Sequence, residues 1–295
     1  MEISPAPIQE IHEPLFNQKG VQVFFKREDL NHPIVSGNKW RKLKYNLEEA
    51  KARGQDTILS FGGAYSNHIH ALAGAGQAMG LKTIGIIRGE ETLPLNDTLS
   101  FAKSCGMEIH YMDRETYREK DTLKVKLALQ YEFEKFYLIP EGGTNKLAIK
   151  GCEELIQEIP ETYDHYCLPV GTGGTISGII SALNDQMNII GFSSLKGDFL
   201  ASEIKQLLID YNGKKYSNWE INNDFHFGGY ARTKPELMGF MKSFEEKHNV
   251  LLDPIYTAKS LYGLYELIHN DYFKPRSRIL FIHTGGLQGR KGFGL

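Results

Sequence analysis

The sequence predicts an α/β fold of parallel-rich open sheets flanked by helices. Short apolar runs alternate with helical patterns along the chain, and glycine-rich turns fall where a strand hands over to a helix. No Pro/Ser-rich linker splits the chain, so a second unit has to be inserted within the first. The expected division is residues 1–44 plus 136–295 as the larger unit and 45–135 as a smaller α/β unit with its own sheet.

Taken in order, residues 21–25 read as a strand. Residues 39–53 read as a helix, because Leu43, Leu47 and Ala50 share one face and Gly54 stands at its end. Residues 57–60 form a buried strand, 66–79 a helix of small residues closed by Gly80, and 83–87 the next strand. A helix is expected at 99–103, a strand at 108–111, one long helix at 117–135 and a strand at 136–139. The alternation continues with a helix at 148–159, a strand at 166–170, a helix at 175–183 and strands at 189–192 and 279–282.

Bulk properties narrow the function. With 295 residues, 41% hydrophobic and 24% charged, the chain can bury a large core. A net charge of −2 gives no reason to expect nucleic acid or an acidic membrane as partner. The start of the chain carries no basic region followed by an apolar stretch, so no signal peptide is expected. The longest apolar runs, such as residues 279–282, are far short of a membrane span. Cys105, Cys152 and Cys167 are too few and too scattered for a disulfide framework or a zinc site; they fit buried apolar positions in a reducing cytoplasm.

Three runs carry chemistry. Gly171, Thr172, Gly173, Gly174 and Thr175 follow a strand and open a helix, the setting in which glycines let a phosphate approach unpaired helix-start N–H groups. No Gly-Lys-Ser/Thr ends the run and it is not Gly-x-Gly-x-x-Gly, so a nucleotide is disfavoured. Lys39 opens a helix behind Gly37 and Asn38, with Asn38 as the expected N-cap. The helix dipole disfavours a lysine there, so its placement suggests use; Arg41 and Lys42 are expected to help depress its pKa or to reach an anion. Ser66 and Asn67 start a helix after Gly62 and Gly63 and can hold a carboxylate or a ring hydroxyl. His68 and His70 lie two apart and diverge on a helix, and no metal site is expected. Any one run has an ordinary structural explanation: a tight turn, a solvated lysine, a capping serine. Together, a reactive lysine, a polar helix start and an anion cradle are the parts that hold pyridoxal phosphate.

At this point the chain resembles the fold-type-II pyridoxal-phosphate enzymes, whose fold is tryptophan synthase β-like. It is most similar to the branch holding 1-aminocyclopropane-1-carboxylate (ACC) deaminase and D-cysteine desulfhydrase. The matching stretches are residues 26–29 (KRED), 37–43 (GNKWRKL), 62–67 (GGAYSN), 140–143 (PEGG), the glycine loop, 252–260 (LDPIYTAKS) and 283–286 (HTGG). The resemblance implies that Lys39 is the lysine that carries the cofactor and that Asn67 contacts its ring hydroxyl. It implies that Ser66 binds or activates the substrate, that 171–175 hold the phosphate, and that Tyr256 and Tyr230 are active-site tyrosines. It also suggests a homodimer and a small amino-acid substrate.

The resemblance bears on the reaction too. In the deaminases a glutamate follows the tyrosine matching Tyr256, near the pyridine nitrogen, and a leucine stands at the position of Thr284; this chain has Thr257 and Thr284. A neutral hydroxyl cannot hold a pyridinium as a carboxylate does. Both threonines resemble the desulfhydrase pattern, so β-elimination from a D-amino acid is expected over ACC ring opening. ACC deamination is the alternative, and a cofactor-binding regulatory protein without catalysis is the alternative from another class. Residues 88–107 and 287–289 depart from the deaminase pattern.

Overall fold

The computed structural model describes residues 3–295; Met1 and Glu2, which head the segment read as lacking a leader, lie outside it. In chain order the elements are β1 (Ile8–Ile11), α1 (Pro14–Lys19), β2 (Gln22–Lys26), α2 (Asn38–Ala52), β3 (Thr57–Gly62), α3 (Asn67–Met79), β4 (Lys82–Arg88) and α4 (Asp97–Ser104). There follow β5 (Glu108–Met112), α5 (Arg114–Arg118), α6 (Leu123–Phe133), β6 (Tyr137–Ile139), α7 (Lys146–Gln157), β7 (His165–Val170), α8 (Gly174–Leu183) and β8 (Asn188–Ser193). The chain closes with α9 (Leu200–Asn212), β9 (Trp219–Asn222), α10 (Pro235–His248), α11 (Thr257–His269) and β10 (Arg278–Ile282).

These strands make two sheets. The larger has the order β1-β2-β10-β7-β8-β9, and every pairing except β1 with β2 is parallel. The smaller, β5-β4-β3-β6, is parallel throughout. β6 pairs with β3, so a division that follows the sheets sends 137–139 with the smaller unit, not the larger.

Period-two alternation explains why both faces are covered. Ile279 and Phe281 of β10 enter one core with Val23, Phe25 and Phe192, while Leu280 and Ile282 enter another with Leu168, Val170 and Ile176. In the smaller sheet Ile58 faces α2 and α3 residues such as Leu43 and Leu72, and Leu59 and Phe61 face Tyr117 and Val125.

The helices near the larger sheet pack closely. A Cβ on Gly151 of α7 would lie 1.9 Å from the Arg41 carbonyl of α2, and one on Gly178 of α8 would lie 2.5 Å from the Cys152 Cβ of α7. Only glycine permits these approaches, and they lock α2, α7 and α8 into one layer. Cys152 is buried there, Cys167 is buried on the opposite face of the larger sheet, and Cys105 is partly exposed.

One expected element is different. The long helix at 117–135 is two helices, α5 and α6, because Thr122 turns extended and its hydroxyl accepts the Val125 N–H to cap a fresh start. Among the described residues no helix is long and apolar enough to cross a membrane.

Beneath α2 lies a buried charge network. Arg41 Nε and Nη2 donate to Glu28 at 2.6 and 2.9 Å, and Nη1 and Nη2 donate to Glu158 at 3.0 and 2.7 Å. Lys26 stands 3.6 Å from Glu158 and 3.9 Å from Glu28. Glu28 is wholly enclosed, so removing its charge leaves Arg41 short of a counter-charge in a dry setting. Glu28→Gln is therefore expected to cost about 3 kcal/mol of unfolding free energy. Arg53→Ala, which breaks the exposed pair with Glu49, should cost under about 0.5 kcal/mol. Urea titrations of the two variants check the contrast, and equal midpoints would count against it.

Candidate active site

A cavity of about 310 Å³ opens where the C-terminal ends of β3, β7 and β10 meet the first turns of α2, α3 and α8. That is the crevice in which parallel α/β sheets bind ligands, and the volume lies at the lower end of the ~300–1,000 Å³ typical of small-molecule sites. Lys39, Lys42, Ser66, Asn67, Gly171, Thr172, Gly173, Gly174, Thr175, Tyr230, Tyr256 and Thr284 all line it. Of the residues expected at the site, Thr257 is absent from the wall.

The first turn of α2 presents Lys39. Gly37, with φ +67°, is the N-cap residue and Asn38 the first helical one, so the expected capping role of Asn38 is not filled. The Asn38 side chain instead donates to the Thr175 hydroxyl at 2.8 Å, tying the start of α2 to the start of α8, and its oxygen accepts from the Lys39 amine at 3.1 Å. Lys39 is half-buried on the cavity wall. Burial lowers the pKa of that amine to about 8, against the opposing pull of Cys152 and Asp253. The expected cationic neighbours are not the main cause. Arg41 turns away to Glu28 and Glu158 and does not reach the cavity. Lys42 does reach it, and is itself pushed down to about 7, by burial first and by Lys39 second.

The residues at α8 fit a phosphate. Gly173 caps the helix at φ +79° with no side-chain cap, so no side chain claims the first-turn N–H groups of α8. A Cβ on Gly174 would stand 2.9 Å from Lys42 Cε, so the bare backbone is what lets the lysine lie against the helix start. Lys42 Nζ donates to the hydroxyls of Thr144 at 2.8 Å and Thr172 at 3.2 Å. An amine, two hydroxyls and a helix start without a side-chain cap are thus brought together, a donor set that suits an anion.

At α3, Ser66 is the N-cap and its hydroxyl accepts the Ile69 N–H at 3.3 Å. A Cβ on Gly62 would stand 2.7 Å from that hydroxyl, which explains the glycine before the turn. Asn67 follows on the cavity wall. His68 Nε2 lies 2.8 Å from the Ser60 hydroxyl, which itself donates to the Ile139 carbonyl at 2.7 Å. The imidazole therefore donates through Nε2, its Nδ1 has no partner among the described residues, and burial keeps it neutral. His70 stacks on Phe101 instead, so the two histidines diverge.

Tyr256 immediately precedes α11, and its ring meets that of Tyr230 edge-on at 6.1 Å. Burial drives the Tyr256 phenol well above its ordinary pKa and raises that of Tyr230. The loop carrying Tyr230 is pinned by Lys259, whose amine donates to the carbonyls of His226 at 2.9 Å and Gly229 at 2.8 Å. Thr257 turns inward. Its hydroxyl donates to Asp253 Oδ1 at 2.9 Å, and Asp253 also accepts the N–H groups of Ile255, Tyr256 and Thr257 at 2.9 Å each. Thr257 is thus spent on holding the helix start, and Thr284 alone of the pair meets the cavity.

Sequence reasoning gave no role to Arg88, Glu141 or Lys259. Arg88 ends a parallel strand, a position that general fold rules already favour for ligands. Glu141 lines the cavity and is held by the Tyr117 hydroxyl at 2.9 Å and Lys120 at 3.1 Å. Nothing local in the sequence marks Lys259 as the pin of a loop some thirty positions away.

Comparison with known proteins bears on the family and the fold. A provisionally named 1-aminocyclopropane-1-carboxylate deaminase of Thermotoga maritima is 32% identical over 98% of this chain and 96% of its own length. The bifunctional D-cysteine desulfhydrase/1-aminocyclopropane-1-carboxylate deaminase, mitochondrial, of Arabidopsis thaliana is 32% identical over 97% of this chain and 77% of its own. A crystal structure described as an ACC deaminase homologue superposes with a TM-score of 0.85 at 28% identity, covering 99% of this chain and 92% of that one. The two parallel-rich sheets are the fold-type-II arrangement. Residues 1–285 match the family described as pyridoxal-phosphate dependent enzyme, and the chain belongs to that family, with ACC deaminases and D-cysteine desulfhydrases among its relatives.

Proposed function

We propose that this enzyme is a D-cysteine desulfhydrase-like lyase that eliminates the β-substituent of a small D-amino acid, giving pyruvate, ammonia and, from D-cysteine, sulfide. The observation that carries the proposal is the cavity wall. Thr284 lines it, Thr257 is committed to Asp253, and Glu141, the one acidic residue on the wall among the described residues, is tied to Tyr117 and Lys120. No free carboxylate is left to hold a pyridinium, which is what ring opening of ACC would favour.

Bound pyridoxal phosphate supplies an electron sink for bond breaking at the substrate α-carbon. Lys42, Thr172, Thr175 and the glycine backbone of 171–174 hold its phosphate. Lys39 carries it and, with a pKa lowered to about 8, can exist as a neutral base that takes the α-proton. Tyr256, kept protonated by burial, donates its phenolic proton to the departing β-group, and Tyr230 packs against it. Ser66 and the opening N–H groups of α3 hold the substrate carboxylate, and Asn67 meets the ring hydroxyl. The homodimer and cytoplasmic location expected from the resemblance and from the cysteine usage belong to the same proposal.

A second possibility is kept because relatives bear the deaminase name, one of them together with the desulfhydrase name. D-Cysteine, L-cysteine and ACC assayed side by side, with sulfide, pyruvate and 2-oxobutyrate read separately, decide between the two. The expected result is sulfide and pyruvate from D-cysteine at least tenfold faster than 2-oxobutyrate from ACC, a gap of about 1.4 kcal/mol in activation free energy. Equal rates would sink the elimination assignment.

Two further outcomes follow from the lysines. Lys39→Ala should lose the visible absorbance of the bound cofactor together with all turnover, read by an absorbance scan and the same assay. For Lys42 the sign is set by its depressed pKa: below about 7 the amine is charged and ready for an anion, and above it a proton must be taken up on binding. Affinity of the cofactor-free protein for inorganic phosphate should therefore fall as pH rises through about 7, and Lys42→Met should bind more weakly and lose that part of the slope. Calorimetry in two buffers of different ionisation enthalpy measures both quantities.

A further inference from the structure

The turn after β10 (Leu287–Phe293) crosses from the cavity to α4, the stretch whose start departs from the deaminase pattern. The Thr98 hydroxyl of α4 donates to Gln288 Oε1 at 2.9 Å, and Gln288 Nε2 donates to Asn67 Oδ1. The Asn67 amide is pressed between two glycines of the turn. A Cβ on Gly286 would stand 2.9 Å from its Nδ2, and one on Gly289 would stand 3.6 Å from its Oδ1. Among the described residues the Asn67 Nδ2 has no hydrogen-bond partner, and Asn67 lines the cavity.

A carboxamide is a donor at one end and an acceptor at the other, and its two ends exchange by a simple flip. Whichever neighbour claims the oxygen decides what the other end offers. Gln288 claims the oxygen, and the N–H₂ end is left for the cavity. We propose that Gln288 is a positioning residue that sets the Asn67 amide so that it presents a donor, suited to the ionised ring hydroxyl of pyridoxal phosphate. This rests on the placement of Asn67 at the ring given above. It also makes the setting of Asn67 depend on α4, through Thr98, a helix that touches the cavity nowhere itself.

The test uses the cofactor-loaded protein with Gln288→Leu and Gln288→Glu, each alone and in an Asn67→Ala background. Leucine frees the amide without adding charge. Glutamate keeps an acceptor for Thr98 but offers Asn67 another acceptor, which turns the Asn67 N–H₂ away from the ring. The readouts are the ratio of visible to near-ultraviolet cofactor absorbance across pH and the cofactor dissociation constant. The visible share should fall from wild type to leucine to glutamate, with a dissociation constant about tenfold higher for glutamate. In the Asn67→Ala background neither substitution should move the ratio further. The proposal is overturned if both single variants keep the wild-type ratio while Asn67→Ala changes it, or if their shifts persist unchanged without Asn67. An unchanged ratio in Asn67→Ala alone shows instead that the placement of Asn67 is wrong, which Lys39→Ala, losing the visible band, separates from failure of the cofactor assignment.

Discussion

Lys39 stands where it does because Gly37 and Thr284 meet backbone to backbone. A Cβ at residue 37 would lie 2.0 Å from the Thr284 carbonyl oxygen, so no other residue could let α2 begin this close to the end of β10. The Asn38 N–H donates to that same carbonyl at 3.2 Å, and Gly37 is clamped from the other side by Glu28 and Asn31. Once that contact is made, α2 has one position. Gly151 then fixes α7 on α2 and Gly178 fixes α8 on α7, so the glycine loop arrives opposite Lys42 through close glycine contacts, with the Asn38 side chain bonded to Thr175 across the gap. The lysine and the cradle belong to segments more than 130 positions apart, yet the distance between them is set by glycines.

The same few turns of α2 treat charge in two opposite ways. Arg41 faces the sheet, where Glu28 and Glu158 satisfy its guanidinium and hold it firmly protonated. Lys39 and Lys42 face the cavity, where among the described residues neither has a salt-bridge partner and burial drives their pKa values down to about 8 and 7, for Lys39 against the more distant pull of Asp253. Pairing keeps a buried group charged, and burial without pairing moves the two cavity amines toward their neutral forms. Position on the helix, more than residue type, separates the paired cation from the two that face the cavity.

The local signals in the sequence were sufficient for the glycine loop, the capping serine and most of the β/α order, because each depends on residues within one turn of each other. They failed where several partners, near or far in sequence, compete for one side chain. The apolar pattern of 117–135 runs through Thr122, and only the hydroxyl bond to Val125 shows the break. Asn38 has the chemistry of a cap, but Gly37 takes that role because the Thr284 backbone is there. Thr257 sits in a motif that points to the cofactor, yet Asp253, four residues back, captures its hydroxyl. Gln288 is more than 200 positions from Asn67, and no periodicity connects them. A motif places a residue near a site; the rotamer, which decides whether it enters, belongs to the packing.

Burial does most to set an acid and a base apart in such a cavity. Desolvation disfavours whichever form carries charge, so it lowers the pKa of an amine and raises that of a phenol. Lys39 and Tyr256 experience it together, one moved to about 8 and the other well above its ordinary value. Near neutral pH this yields an amine that is readily deprotonated and a phenol that stays protonated; Cys152 and Asp253 pull the amine partly back, and Tyr230 and Asp253 push the phenol further up. Elimination needs such a pair, a base at the α-carbon and a proton donor for the group leaving the β-carbon. Ring opening of a substrate without an α-hydrogen has no use for the base in that role and leans on the electron demand of the ring instead. A wall that offers Thr284 and no free carboxylate strengthens the first arrangement and gives little to the second.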